Sequence, residues 1–114
     1  MANELKITIN VNYENTQTAS VYKTVNIDQT GTEYGEHIQE IGTAEEAVIA
    51  TDMTAQGLVY AENLDDTNYV EIGTTGKLAV KLLAGEIGIW RTAGALYAQA
   101  NSAACRVKFL IIEA

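Results

Sequence analysis

One histidine, His37, and one cysteine, Cys105, stand in the 114 residues, so a thiol–imidazole nucleophile pair can be drawn in one way only. The competing account makes Cys105 a small apolar core residue and His37 a polar strand residue, and it needs no special geometry. A serine triad would have to use Ser20 or Ser102, and neither lies in a Gly-x-Ser-x-Gly elbow. Glu62, Asp65 and Asp66 gather oxygen ligands of the kind calcium takes, but their spacing is not that of an EF-hand. Asn, Asp and Thr at 63–68 are equally the residues that close tight turns by bonding their own backbone, which is the better account. Glu45 and Glu46 are adjacent, so on a strand they point to opposite faces and are expected on a solvated rim rather than in acid–base work. Gly73-Thr74-Thr75-Gly76-Lys77 lacks P-loop spacing and is expected to be a hairpin turn. One cysteine with one histidine builds neither an intramolecular disulfide nor a structural zinc site. The expectation is a protein that is not an enzyme, with no catalytic, cofactor-binding or metal-ligating residues and no cofactor.

The elements that would carry these residues are strands. Val, Ile and Thr number 8, 11 and 13, an enrichment in side chains that are stiff at χ1 and suit a pleated surface. Leu5, Ile7, Ile9, Val11 and Tyr13 alternate with Lys6, Thr8, Asn10 and Asn12, and Val21, Val25 and Ile27 repeat the period beyond a turn at 14–17, which predicts a first hairpin. Strand-sized segments follow at 37–41, 58–62 and 69–72. Residues 77–83 and 87–90, joined by Ala84-Gly85-Glu86, are expected to pair as another hairpin, and 96–100 and 105–112 complete the set. Thr43-Ala44-Glu45-Glu46 has capping-box spacing, yet the apolar residues after it do not continue at helical period, so strand is preferred around Val48-Ile49. The last segment is apolar on both faces, with Val107, Phe109 and Ile111 on one and Leu110 and Ile112 on the other; such a strand is central or covered by a neighbouring subunit.

About nine short strands with a turn every eight to twelve residues predict one all-β domain over 1–114, an antiparallel β-sandwich of jelly-roll type, with an up-and-down barrel as the other architecture. The absence of proline removes one of the usual blockers of strand edges, which identical subunits would cover instead. The net charge of −8 sets the chain against nucleic acid and anionic membranes as partners. It is uneven: residues 1–57 hold nine acidic and two basic residues, and residues 58–114 hold six and five. No signal peptide and no apolar run of membrane-spanning length is read, the longest being of the order of Phe109 to Ile112.

The stretches Gly42-Thr43-Ala44-Glu45-Glu46-Ala47, Gly57 to Gly73, Leu83-Ala84-Gly85-Glu86, Leu96-Tyr97-Ala98 and Val107 to Glu113 together resemble a group of small β-sandwich virion structural proteins of tailed bacteriophages. The similarity covers roughly residues 42–113, and Asn63-Leu64-Asp65-Asp66-Thr67-Asn68-Tyr69-Val70-Glu71-Ile72-Gly73 is its most specific part. The resemblance implies a capsid cement or decoration protein, often a trimeric jelly roll, seated on the outer surface of an icosahedral head and assembled in the host cytoplasm. It supplies no catalytic residues. The expected partners are the major capsid protein and further copies of the chain in a homotrimer, with the near-neutral second half packed against them and the acidic first half outward. Interface residues are expected at Trp90, Tyr97, Phe109 and Ile111. The alternative is a carbohydrate- or host-surface-binding module of the phage tail or head, with Tyr60, Tyr69 or Trp90 stacking on sugar rings.

Overall fold

The computed structural model of the chain describes residues 5–28, 31–49, 53 and 55–113, and they form ten strands and no helix. Two compact units divide it, Met1–Thr30 and Gly31–Ala114. The first holds β1 (Leu5–Glu14) and β2 (Thr18–Ile27), an antiparallel hairpin in register from Leu5↔Ile27 to Glu14↔Thr18. Period-two sequence on both strands sorts the side chains, with Lys23 on the apolar face and Tyr22 on the polar one as the exceptions. Leu5, Ile7, Ile9, Val11 and Tyr13 share one face with Ala19, Val21, Lys23, Val25 and Ile27. On the other face Thr8 and Thr24 hydroxyls lie 3.2 Å apart and the Ser20 hydroxyl donates to Asn12 at 2.9 Å.

The second unit holds eight strands: β3 (Tyr34–Ile41), β4 (Glu46–Ala47), β5 (Gln56–Asn63), β6 (Val70–Thr74), β7 (Lys77–Leu82), β8 (Ile87–Arg91), β9 (Tyr97–Ala100) and β10 (Cys105–Glu113). They form two antiparallel four-stranded sheets, β3-β10-β5-β8 and β4-β9-β6-β7. The pairs are nested about the β6–β7 turn: β6 with β7, β5 with β8, β4 with β9, β3 with β10. Inward-facing side chains of both sheets make one core, with Ile41, Val59, Ala61, Val107, Phe109 and Ile111 from the first and Val70, Ile72, Leu82, Ala98 and Ala100 from the second. The unit is therefore sandwich-like, and its core is mainly aliphatic, with Phe109 and Cys105 inside it and Trp90 packed against it.

Segment 105–112 is central, between β3 and β5, as its two apolar faces predict. The capping-box segment enters a two-residue strand rather than a helix. The expected pairing of 77–83 with 87–90 is not what forms: β7 pairs with β6 in one sheet and β8 with β5 in the other. The turn between them is a corner that carries the chain across the core. Gly85 holds it at φ +78, where a side chain is strained, and its N–H donates to Asn63 O at 3.1 Å while Asn63 N–H donates to Glu86 O at 3.0 Å. A local spacing encodes the turn, but the partner that decides which sheet follows is twenty residues away.

Candidate functional site

The two sheets differ on their outer faces. Register places Tyr34, Ile112 and Leu58 in one row across the sheet β3-β10-β5-β8, then Glu36, Leu110, Tyr60 and Ile89, then Ile38, Lys108, Glu62 and Ile87. Tyr34 is 68%, Ile38 50% and Ile87 61% exposed, and Leu58, Tyr60, Leu110 and Ile112 are half-buried among them. Tyr34, Ile112, Leu58, Leu110, Tyr60, Ile89 and Ile87 make a contiguous apolar strip where a water-facing strand would carry polar residues, and Ile38 is set off from it by Glu36, Glu40 and Lys108. The charges of this face are balanced: Glu36, Glu40 and Glu62 stand against Arg91, Arg106 and Lys108, with Lys108 Nζ 3.6 Å from Glu36. The Tyr60 hydroxyl donates to Glu62 at 3.2 Å, and burial, then the Glu62 charge, push its pKa up.

The outer face of β4-β9-β6-β7 sets polar side chains around Tyr69 and Tyr97. Glu71 lies opposite Lys81 and Gln99, and Lys81 Nζ sits 4.1 Å above the Tyr69 ring. Gln99 donates to Thr43 O at 2.9 Å.

The residues with intrinsic reactivity are kept apart. Phe109 opposes His37 and Ile41 opposes Cys105 in the same strand pair, which separates imidazole and thiol by four residues, about 13 Å along the sheet. His37 stacks on Phe109 with centroids 5.6 Å apart and has Nε2 3.3 Å from Gln39 Oε1. Gln39 in turn donates to Ala47 O and accepts from Ile49 N–H. Cys105 is fully buried, its sulfur 3.7 Å from the carbonyls of Asn68 and Tyr69. Burial and then the Asp65 charge raise its pKa, the opposite of an activated nucleophile.

Within 62–68, Asn63 and Asp65 bond backbone groups, while Glu62 and Asp66 each accept from a side-chain hydroxyl. Asn63, the one fully buried polar side chain among the described residues, donates to Asn68 O at 2.9 Å and Leu82 O at 3.1 Å and accepts from Asp65 N–H at 3.0 Å. Asp65 accepts from the N–H groups of Asn68 and Thr67, which hold its carboxyl below the usual carboxylate range, while Asp66 accepts from the Thr67 hydroxyl. The three acids thus point to three different tasks, turn chemistry in the sense the sequence suggests. Glu45 is exposed, as a rim residue is expected to be, and from there it accepts from the Thr75 hydroxyl at 2.7 Å and Gly76 N–H at 3.1 Å, which clamps the β6–β7 turn.

The expected interface residues scatter. Phe109 and Ile111 have no exposed surface and belong to the core, because the odd-numbered residues of β10 face inward; the outward side chains of that strand are Arg106, Lys108, Leu110 and Ile112. Trp90 faces inward on β8, half-buried against the core. Tyr97 is half-buried on the other sheet, opposite Gly73. Tyr60, Tyr69 and Trp90 lie on an outer face, on the opposite outer face and against the core respectively, so no single aromatic platform gathers them. Against known proteins, the chain matches no family model, no curated protein and no solved structure.

Proposed function

We propose that the chain is a virion structural protein of a tailed bacteriophage, a cement or decoration protein whose second unit is a jelly roll that docks on the outer surface of the major capsid protein as a homotrimer. The order of its strands supports the jelly roll: numbered one to eight from β3, the sheets run 1-8-3-6 and 2-7-4-5, which a long antiparallel hairpin gives when wrapped over itself into two Greek keys. That architecture serves capsid and lectin domains alike, so the functional step needs more.

The observation that carries it is the contrast of the outer faces. An apolar, charge-balanced face on a chain of net −8 fits docking onto another protein, and an opposite face of Glu71, Lys81 and Gln99 fits solvent. The sugar-binding alternative has less behind it, since Lys81 occupies one side of the Tyr69 ring and the remaining aromatics are dispersed. The test is co-sedimentation of the purified protein with heads stripped of it. Leu110→Glu, which puts a charge at the centre of the apolar face, is expected to lower occupancy at least tenfold, and Lys81→Glu on the polar face to leave it within twofold. Full occupancy by the Leu110 variant overturns this assignment of the docking face, and absence of any binding by the unaltered protein overturns the capsid role.

A further inference from the structure

We infer that the apolar face of the β1–β2 hairpin is a self-association surface, covered by the same face of a second copy of this chain. Its sorting is nearly complete: of the ten side chains on that face only Lys23 is polar at its tip beyond Tyr13, and Ile9, Val11, Tyr13, Val21 and Val25 are between 39 and 57% exposed. A lone two-stranded hairpin is marginal in water, and one with its hydrophobic face wet gains little from its side chains. Ten paired positions in continuous register call for an occupant always present at equal concentration, and a second copy meets that condition.

Charge selects the same occupant. Residues 5–28 hold Lys6 and Lys23 against Glu14 and Asp28, whereas residues 31–114 hold twelve acidic and five basic residues. Two copies therefore meet without net repulsion through their hairpins. The same acidity repels anionic lipid and nucleic acid. A two-fold axis along the strands lays β2 of one copy over β1 of the other. Lys23, which opposes Ile9 in the pair, then faces an isoleucine of the other copy instead of a second lysine, and its methylene stem can follow the seam while the ammonium reaches the edge. The polar face, with its Thr8–Thr24 and Ser20–Asn12 contacts, stays toward water.

Light scattering behind size exclusion on the full chain tests this apart from any capsid. The unaltered protein is expected at an even multiple of 12.3 kDa, a dimer through the hairpins or two trimers joined by them. Val11→Lys with Val21→Lys, a directly opposed pair on the apolar face, is expected to halve that mass. Asn12→Lys with Ser20→Lys adds the same charge to the polar face and is expected to keep the wild-type mass. Val21→Ser, a milder change should the lysine pair prevent folding, is expected to raise the concentration of half-dissociation at least tenfold. A monomeric wild type, a lysine pair that keeps the oligomer, or equal loss in both double variants overturns the inference. A monomer that floats with phosphatidylcholine vesicles overturns it in favour of lipid as the occupant.

Discussion

Asn63 shows how one side chain can hold two sheets. Its amide reaches Asn68 O before β6 and Leu82 O at the end of β7 while its own backbone continues β5, so a single buried amide joins strands of both sheets and also seeds the 65–68 turn. Asp65 completes that turn with its carboxylate, and the linkage has a definite sign. Its folded pKa is depressed by the N–H groups of Asn68 and Thr67, so the stability it contributes is present above the unfolded value of about 3.9 and is lost as pH falls through the lower folded value. Asp65→Asn is therefore expected to lower the urea midpoint at pH 7 and to converge with the wild type at acid pH; parallel curves at all pH values would contradict the assignment. Phe109 is the largest fully buried side chain, and Phe109→Ala is expected to cost about 3–5 kcal/mol, read as an earlier urea midpoint. Cys105, on the same buried face of β10, reports it a second way: its thiol should resist DTNB in the folded wild type and label faster in the Phe109 variant.

At the scale of elements the β6–β7 turn is the tightest point. A Cβ at Gly73 would run into Lys77 O and the Leu78 Cα, both backbone, so the two strands approach as closely as they do only with glycine there. Gly73→Ala is expected to cost about 1–3 kcal/mol in thermal unfolding, whereas the same change at Gly42, where a Cβ meets nothing within 4 Å, should be nearly silent. Elements of this kind were legible wherever chemistry is local. Period two marked β1, β2 and β7; Asn, Asp and Gly marked the turns and so the strand-sized β5 and β6 between them; and the double-faced apolarity of β10 announced a central strand. Pairing between distant segments was not legible. Ala84-Gly85-Glu86 spells a turn, but its role as a corner depends on Asn63, and the clamp that Glu45 makes from its exposed position depends on Thr75 and Gly76, thirty and thirty-one residues away. The outer-face strip escaped for the same reason: Tyr34, Leu110, Leu58 and Ile89 become one surface only through register across four strands. Large aromatics such as Trp90 and Phe109 drew attention by type, and the core claimed them.

At the scale of the whole chain, the two halves meet on one face. The outer face of β3-β10-β5-β8 takes Glu36 and Glu40 from the acidic first half and Arg91, Arg106 and Lys108 from the near-neutral second, so its charge balance exists only once those strands pair. Nesting about the β6–β7 turn means that the outermost pair, β3 with β10, joins residues some seventy positions apart, and β10 also separates β3 from β5. The first sheet thus lacks its middle until its last strand arrives, and until then β3 and β5 each present an open edge with no proline to blunt it. Closing so long a loop is an entropic toll met before any contact rewards it, which makes refolding slow for a chain of this size. During that wait the vacancy fits any β10, including a neighbour's, so refolding yield should fall steeply with protein concentration while native stability does not.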